Sequence, residues 1–223
     1  TLELTNLRME AGKIDCILWL CPCSVKKSLR EDIIYHCGDF PDKIIIRGIE
    51  SLSSSDRLYL TLCELVQKHR VFLVVDESNL VKNHKAVRTG RIVQLSQACR
   101  YKMILNGTPV SKSEADMFAQ WYVLDWRILG YKSFYSFAHN HIEYWTIHLP
   151  NGKDIEDRTR IRRILNIDYL TEKIAPYTYQ VKKSECLPLP PKHYMREMVE
   201  LTDKQEILYE TTKKEFLLNV DEM

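Results

Sequence analysis

The feature that most constrains this chain is Val71-Phe72-Leu73-Val74-Val75, a wholly apolar run closed by two adjacent carboxylates, Asp76 and Glu77. A short apolar run rich in β-branched residues predicts a strand buried on both faces of a parallel sheet. Where such a strand ends the chain must leave the sheet, and open α/β sheets bind ligands just outside those carboxyl ends. Two acids beside an apolar core are costly unless a cation or solvent faces them. An isolated Asp-Glu is commonly no more than an exposed acidic turn. The order of elements around this pair lifts it above that reading.

Residues 2–11 predict a helix ended by Gly12 as its cap. Residues 14–20 predict a buried strand, stopped by Pro22, with Ser24 placed to cap the helix that follows. That helix, residues 25–36, puts Val25, Leu29 and Ile33 on one face. A second buried strand is expected at 43–47 and a polar loop at 51–55. A helix at 56–69 turns Leu58, Leu62, Leu65 and Val66 inward. After the strand at 71–75 comes a loop with Lys82 and Asn83. A helix at 85–99 then places Ile92, Leu95 and Cys99 on a common side, and a fourth strand follows at 101–105. Asn106-Gly107-Thr108-Pro109 is a turn that Gly and Pro both favour. Ser113-Glu114-Ala115-Asp116 has the form of a capping box opening a helix with Met117, Trp121 and Leu124 inward. Trp121, Tyr122 and Trp126 could stack on bases, but aromatics at helical spacing are read here as core.

Strand and helix thus alternate four times up to residue 126, the pattern of an α/β fold whose parallel sheet is built by right-handed crossovers. Beyond it, residues 127–185 read as a mostly helical extension, with a small hairpin from 144–149 onward and a polar turn at Pro150-Asn151-Gly152. Residues 186–192 are a proline-bearing connector. Residues 193–201 suggest a strand, and Thr202 to Gln205 open a last helix ending near residue 219.

The chain has 223 residues, 45% of them hydrophobic and 28% charged, enough for a sizeable core and a soluble surface. The net charge of +2 means that any surface for a polyanion must be local. No apolar stretch approaches the roughly 20 residues of a membrane-spanning helix, and no signal peptide is visible. The seven cysteines, scattered through apolar segments, fit a reduced intracellular protein. Cys21, Cys23, His36 and Cys37 could be drawn as a zinc site, but Cys-x-Cys is not a usual zinc-knuckle spacing.

In motif order the chain resembles the first RecA-like lobe of helicase-type ATPases of the second superfamily, most closely the Swi/Snf-like branch and its phage-borne relatives. Leu18 to Ser24 is similar to motif Ia. Val74-Val75-Asp76-Glu77-Ser78-Asn79, followed by Val81-Lys82-Asn83, is similar to motif II and its extension. Ile104 to Ser111 is similar to motif III. Leu189-Pro190-Pro191-Lys192 and then Glu200 to Gln205 resemble the connector towards the second lobe. The resemblance covers most of the chain and is weakest at 127–165. It implies a RecA-like parallel sheet flanked by helices over residues 1–126, a helical extension over 127–185, and a connector with a helix over 186–223.

It also implies chemistry. Asp76 would hold Mg²⁺, and Glu77, behind it, would orient or deprotonate the attacking water. Gly107 and Thr108 would sit at the ATP site, with Asn79, Asn106 and Thr108 coupling it to DNA. Ser24, Lys26 and Lys27 would meet DNA phosphates at a helix start, joined by Lys82 and Asn83, although Ser24 could be only a cap and Lys82 only a brace. The implied cofactors are ATP and Mg²⁺. The implied partners are DNA, duplex or single-stranded, and a second lobe, with no membrane.

The chain departs from the family pattern at Asn79, where many relatives have His, at Asn106 and Lys112 in motif III, where Thr and Asn are usual, and at Lys182-Lys183, where paired arginines are common. A phosphate-binding loop needs Gly-x-x-x-x-Gly-Lys-Ser/Thr. The only Gly-Lys pairs, Gly12-Lys13 and Gly152-Lys153, lack both the first Gly and the final hydroxyl. Residues 2–11 match the helix that follows this loop in the family, so the loop is expected just upstream of Thr1 and the chain is expected to be a fragment, inactive alone. Two other readings stand beside the motor: a degenerate lobe that binds nucleic acid or a partner without turnover, and an unrelated α/β hydrolytic domain using Asp76 and Glu77 with a metal.

Overall fold

The computed structural model describes residues 1–110, 113–148, 153–186, 190 and 193–221. Expectations for Ser111, Lys112, the 150–152 turn and most of the 187–192 connector lie outside them. The chain forms two compact units, Thr1–Tyr179 and Gln180–Met223.

The first unit is organised on a four-stranded, all-parallel sheet in the order β2-β1-β3-β4. Its strands are β1 (Cys16–Cys21), β2 (Ile44–Gly48), β3 (Val71–Val75) and β4 (Tyr101–Ile104). β1 and β3 are buried at every residue. Because strand side chains alternate between faces, each strand feeds two cores. Leu18, Leu20, Leu73 and Val75 pack with Leu52, Leu62, Val66, Ile92 and Leu95. Ile17, Trp19, Phe72 and Val74 pack with Ile33 and with Leu2, Met9 and Leu29. The helices divide accordingly: α1 (Leu2–Glu10) and α2 (Lys26–Cys37) cover one face, and α3 (Ser51–Ser54), α4 (Asp56–Lys68) and α5 (Val87–Ala98) cover the other. Full burial of an aliphatic side chain such as Leu73, which has no exposed surface, contributes about 1.5–3 kcal/mol.

The caps show why helices stop where they do. Gly12, at φ +60°, closes α1: its N–H donates to the Met9 carbonyl, and the Lys13 N–H donates to that of Arg8. That double bond is the left-handed glycine cap expected there. Ser55 accepts from the Leu58 N–H to open α4. Ser24, in contrast, caps nothing. A 3-10 turn over Cys23–Val25 precedes α2, whose N-cap position is Val25. Residues 51–54 are a helical turn rather than a polar loop, because Leu52 is drawn into the core with Ile49.

A second core lies beyond the sheet. Its helices are α6 (Met117–Leu124), α7 (Trp126–Leu129), α8 (Phe134–His141) and α9 (Ile167–Ile174). Met117, Phe118, Trp121, Phe137, Ile142 and Leu170 fill it, so Trp121 is core as expected. The hairpin is larger than expected: β5 (Ile142–His148) pairs antiparallel with β6 (Asp154–Ile164). In the second unit, α10 (Lys183–Cys186) precedes α11 (Asp203–Asp221), and Gln205 Oε1 accepts from both the N–H and the hydroxyl of Thr202. Residues 193–201 are not a strand: no strand pairs with them among the described residues, and Tyr194 and Met195 are almost fully exposed.

Candidate functional site

The carboxyl ends of the four parallel strands share one edge of the sheet, and the chain leaves β3 there under tight backbone control. The Asp76 N–H donates to the Leu20 carbonyl at 2.8 Å, and the Leu105 N–H donates to that of Val75 at 2.8 Å. The Ser78 N–H then donates to the Leu105 carbonyl at 3.0 Å. Asp76 Oδ1 accepts from the Glu77 N–H at 3.0 Å, a bond that folds the two acids over the strand end. Glu77 is held at φ 48° and ψ 55°, a left-handed conformation that among the described residues only Asn166 shares outside glycine. Such a backbone costs on the order of 1–3 kcal/mol and persists where surrounding bonds over-determine it. Asp76 is half-buried and Glu77 is exposed.

Beneath the acids lies a buried polar cluster. Ser78 and Gln120 have no exposed surface. The Ser78 hydroxyl donates to Gln120 Oε1 at 2.6 Å, and Asn106 Nδ2 reaches both Ser78 Oγ and Gln120 Oε1 at 3.3 Å. Gln120 Nε2 donates to the carbonyls of Pro109 at 2.7 Å and Asp116 at 2.9 Å. Asn106 Oδ1 accepts from the Thr108 N–H at 2.8 Å and so sets the turn after β4. The ends of β3 and β4 and the start of α6 are thereby tied together.

Asp76, Glu77, Asn79, Asn106, Gly107 and Thr108 thus converge on the ends of two adjacent strands. Gly107 is exposed, its φ is not left-handed, and a Cβ there would meet nothing within 4 Å. The turn itself therefore does not demand glycine, so the expectation that Gly107 fixes the turn is not met. Gly48 is the steric glycine of this edge: a Cβ on it would lie 2.1 Å from Cys23 Sγ. Asn79 is half-buried, and its Oδ1 has no hydrogen-bond partner among the described residues.

Lys82 lies 3.5 Å from Asp116 in a half-buried ion pair. Its ammonium is engaged between the loop after β3 and the start of α6, the bracing alternative. Asn83 Oδ1 accepts from the Lys85 N–H, shaping the approach to α5. Ser24, Lys26 and Lys27 lie at the end of β1, all exposed, and Lys27 pairs loosely with Glu31 at 3.8 Å. The Cys23 N–H donates to Glu50 Oε2 at 2.9 Å, fixing this loop against the end of β2.

The donor set fits a hard, oxygen-bound cation. Among the described residues no three His, Cys, Asp or Glu side chains gather as a metal cage. Burial, with the nearby charge of Asp76 and lesser neighbours, pushes the Cys21 thiol up to about 11. Asp76 and Glu77 are oxygen donors beside open solvent. That suits Mg²⁺, which is commonly held by one or two carboxylates together with substrate phosphates and water.

Comparison with known proteins identifies the family. Residues 39–222 match the SNF2-related domain. The chain belongs to the SNF2-related family. It is 23% identical over 197 residues to a Xenopus tropicalis SWI/SNF-related matrix-associated actin-dependent regulator of chromatin, subfamily A containing DEAD/H box 1, covering 88% of this chain and 18% of that protein. It is 25% identical over 134 residues to a Caenorhabditis elegans SWI/SNF-related subfamily A-like protein 1 homolog, covering 55% of this chain and 19% of that one. Its fold is similar to the Sulfolobus solfataricus SWI2/SNF2 ATPase core in complex with dsDNA, with TM-score 0.57, 19% identity and coverage of 100% of this chain and 46% of that one. This SNF2-family chain spans about a fifth of the length of these curated relatives and under half of that solved core.

Ser78 and Gln120 were not legible as site residues from sequence alone. The one signal was Gln120 itself, a long amide amid Met117-Phe118-Ala119 and Trp121-Tyr122-Val123.

Proposed function

We propose that this chain is part of the first motor lobe of a DNA-dependent ATPase that moves on DNA. The observation that carries the reading is Glu77, held left-handed beside Asp76 at the carboxyl edge of the sheet and linked through Ser78 to the turn over residues 106–109. Asp76 would hold Mg²⁺ delivered with ATP, and Glu77 would accept the proton of the attacking water at a carboxylate oxygen. Bound Mg²⁺ supplies neutralisation of charge on the phosphate oxygens. Gly107 presents bare backbone, and with Thr108 it lets a phosphate approach closely. Thr108, Asn106 and Asn79 link that edge to the DNA side. Ser24, Lys26, Lys27 and Asn83 meet the DNA backbone, where phosphate contacts position the strand without reading its sequence, with Lys82 chiefly bracing its loop.

The 223 residues contain no phosphate-binding loop, and a second lobe must close over the nucleotide. On this reading the chain alone binds Mg·ATP poorly and hydrolyses none, and the parent polypeptide is an intracellular, soluble motor. The test is ATP hydrolysis by the full-length polypeptide, titrated with duplex and single-stranded DNA. Hydrolysis that rises with DNA supports the motor. Hydrolysis indifferent to DNA contradicts the coupling. DNA binding with no hydrolysis favours a degenerate binding lobe.

A further inference from the structure

We propose that Gln120 is a positioning residue that makes the loop carrying Glu77 and the turn carrying Thr108 move as one body. The inference rests on the motor reading and names how its two sites are joined. Its ground is the arrangement at Gln120. The side chain has no exposed surface and uses both ends of its amide. Oε1 accepts from Ser78, the residue after Glu77, and from Asn106, which opens the 106–109 turn. Nε2 donates to the Pro109 carbonyl, at the far end of that turn, and to the Asp116 carbonyl at the start of its own helix. Asp116 also carries the ion pair to Lys82 in the loop that Glu77 opens. One amide thus touches both segments, and a shift of either one alone leaves part of the amide without its partner.

Three physical points make this more than packing. A buried amide with all four bonds made is stable in one arrangement only, because each unmade bond leaves a desolvated polar group at about 1–3 kcal/mol. The left-handed backbone at Glu77 needs an outside restraint, and the Ser78 hydroxyl bond is adjacent to it. An apolar side chain of the same length could fill this core position, so the amide's distinguishing contribution is the set of bonds rather than the volume. A strained residue held by a network with one satisfied state is tied to the turn that shares the network, so a shift at either segment is opposed at the other.

The test compares the wild-type full-length polypeptide with Gln120→Met, which keeps the length and removes the bonds, and with the double variant Ser78→Ala/Gln120→Met. The readouts are thermal stability, the ratio of ATP hydrolysis with and without DNA, and backbone amide exchange at residues 77–81 and 106–108. In Gln120→Met the ratio is expected to fall by about fivefold, and exchange rises in both segments together. The double variant removes the orphaned hydroxyl and regains stability, yet its ratio stays low. Recovery of the ratio along with stability would show that Gln120 is merely structural and would overturn the proposal, as would an unchanged ratio in both variants. If the wild type hydrolyses no ATP under any condition, the motor reading fails, and amide exchange still decides this inference. Loosening of both segments upholds the coupling, and loosening of one alone defeats it.

Discussion

The sheet edge and the β5–β6 hairpin manage polar groups in opposite ways. At the edge, Ser78 and Gln120 are fully buried and bond to each other and to Asn106. In the hairpin, Glu143 pairs with Arg162 and Arg163, and Arg158 with Glu156, largely in contact with solvent. Burial makes each bond at the edge obligatory, since the alternative is a desolvated group with no partner. Exposure makes each hairpin pair optional, since water replaces either partner at little cost. The loop that holds Glu77 left-handed beside Asp76 is therefore built where the alternatives are expensive. The hairpin can vary its charges freely.

The largest test of this contrast lies in the strands themselves. Leu73→Ala empties a site in β3 with no exposed surface and is expected to cost about 3–5 kcal/mol in denaturant unfolding. Ile155→Ala in β6, where the side chain is half exposed, is expected to stay within about 0.5 kcal/mol. Comparable losses would erase the distinction. Next in size is Ser78→Ala, which leaves Gln120 Oε1 with a single, long bond and is expected to cost about 1–3 kcal/mol. Glu143→Gln should change stability only marginally, and less still at high salt.

Thiol labelling sharpens the comparison further. Cys23, Cys37 and Cys186 are exposed and should alkylate rapidly at pH 8, whereas Cys21 and Cys99 are buried and held up, to about 11 and about 12, chiefly by burial. Rapid labelling of Cys21 in the native state would mean that the sheet edge is open. The smallest effect concerns Asp15, just before β1. The Arg70 side chain, and then its backbone N–H, bond the Asp15 carboxylate and lower it from 3.8 to about 2. A depressed carboxyl contributes stability that is fully present above its unfolded value and is lost as pH falls through its folded value. The Asp15→Asn variant should therefore be less stable than wild type at neutral pH, and the difference should close between about pH 4 and pH 2.

The same contrast explains what the sequence disclosed. Val71–Val75 was legible residue for residue, because a run buried on both faces has no polar positions to confuse its period. The hairpin was only half visible. In β6 the residues Asp154 to Ile164 are mostly exposed, and their Arg, Asp and Glu side chains mask the alternation that marks a strand. Residues 193–201 include the β-favouring Tyr194 and Val199, but a strand needs a neighbour, which sequence cannot supply. Ser24 looked like a cap because Ser after Pro before a helix is a common cap. The 3-10 turn moved the helix start one residue on. Asp76 and Glu77 were legible through their position after β3. Ser78 and Gln120 were not, because their partnership spans 42 residues and exists only once α6 packs under the sheet edge.

The central claim is that Asp76 and Glu77 form the hydrolytic end of this lobe. Its most direct test is DNA-stimulated ATP hydrolysis by the full-length polypeptide beside its Glu77→Gln version, which keeps the shape and removes the base. The account predicts that the wild type turns over ATP with DNA and that Glu77→Gln loses on the order of a hundredfold or more in turnover while still binding DNA. Equal hydrolysis by the two would contradict it.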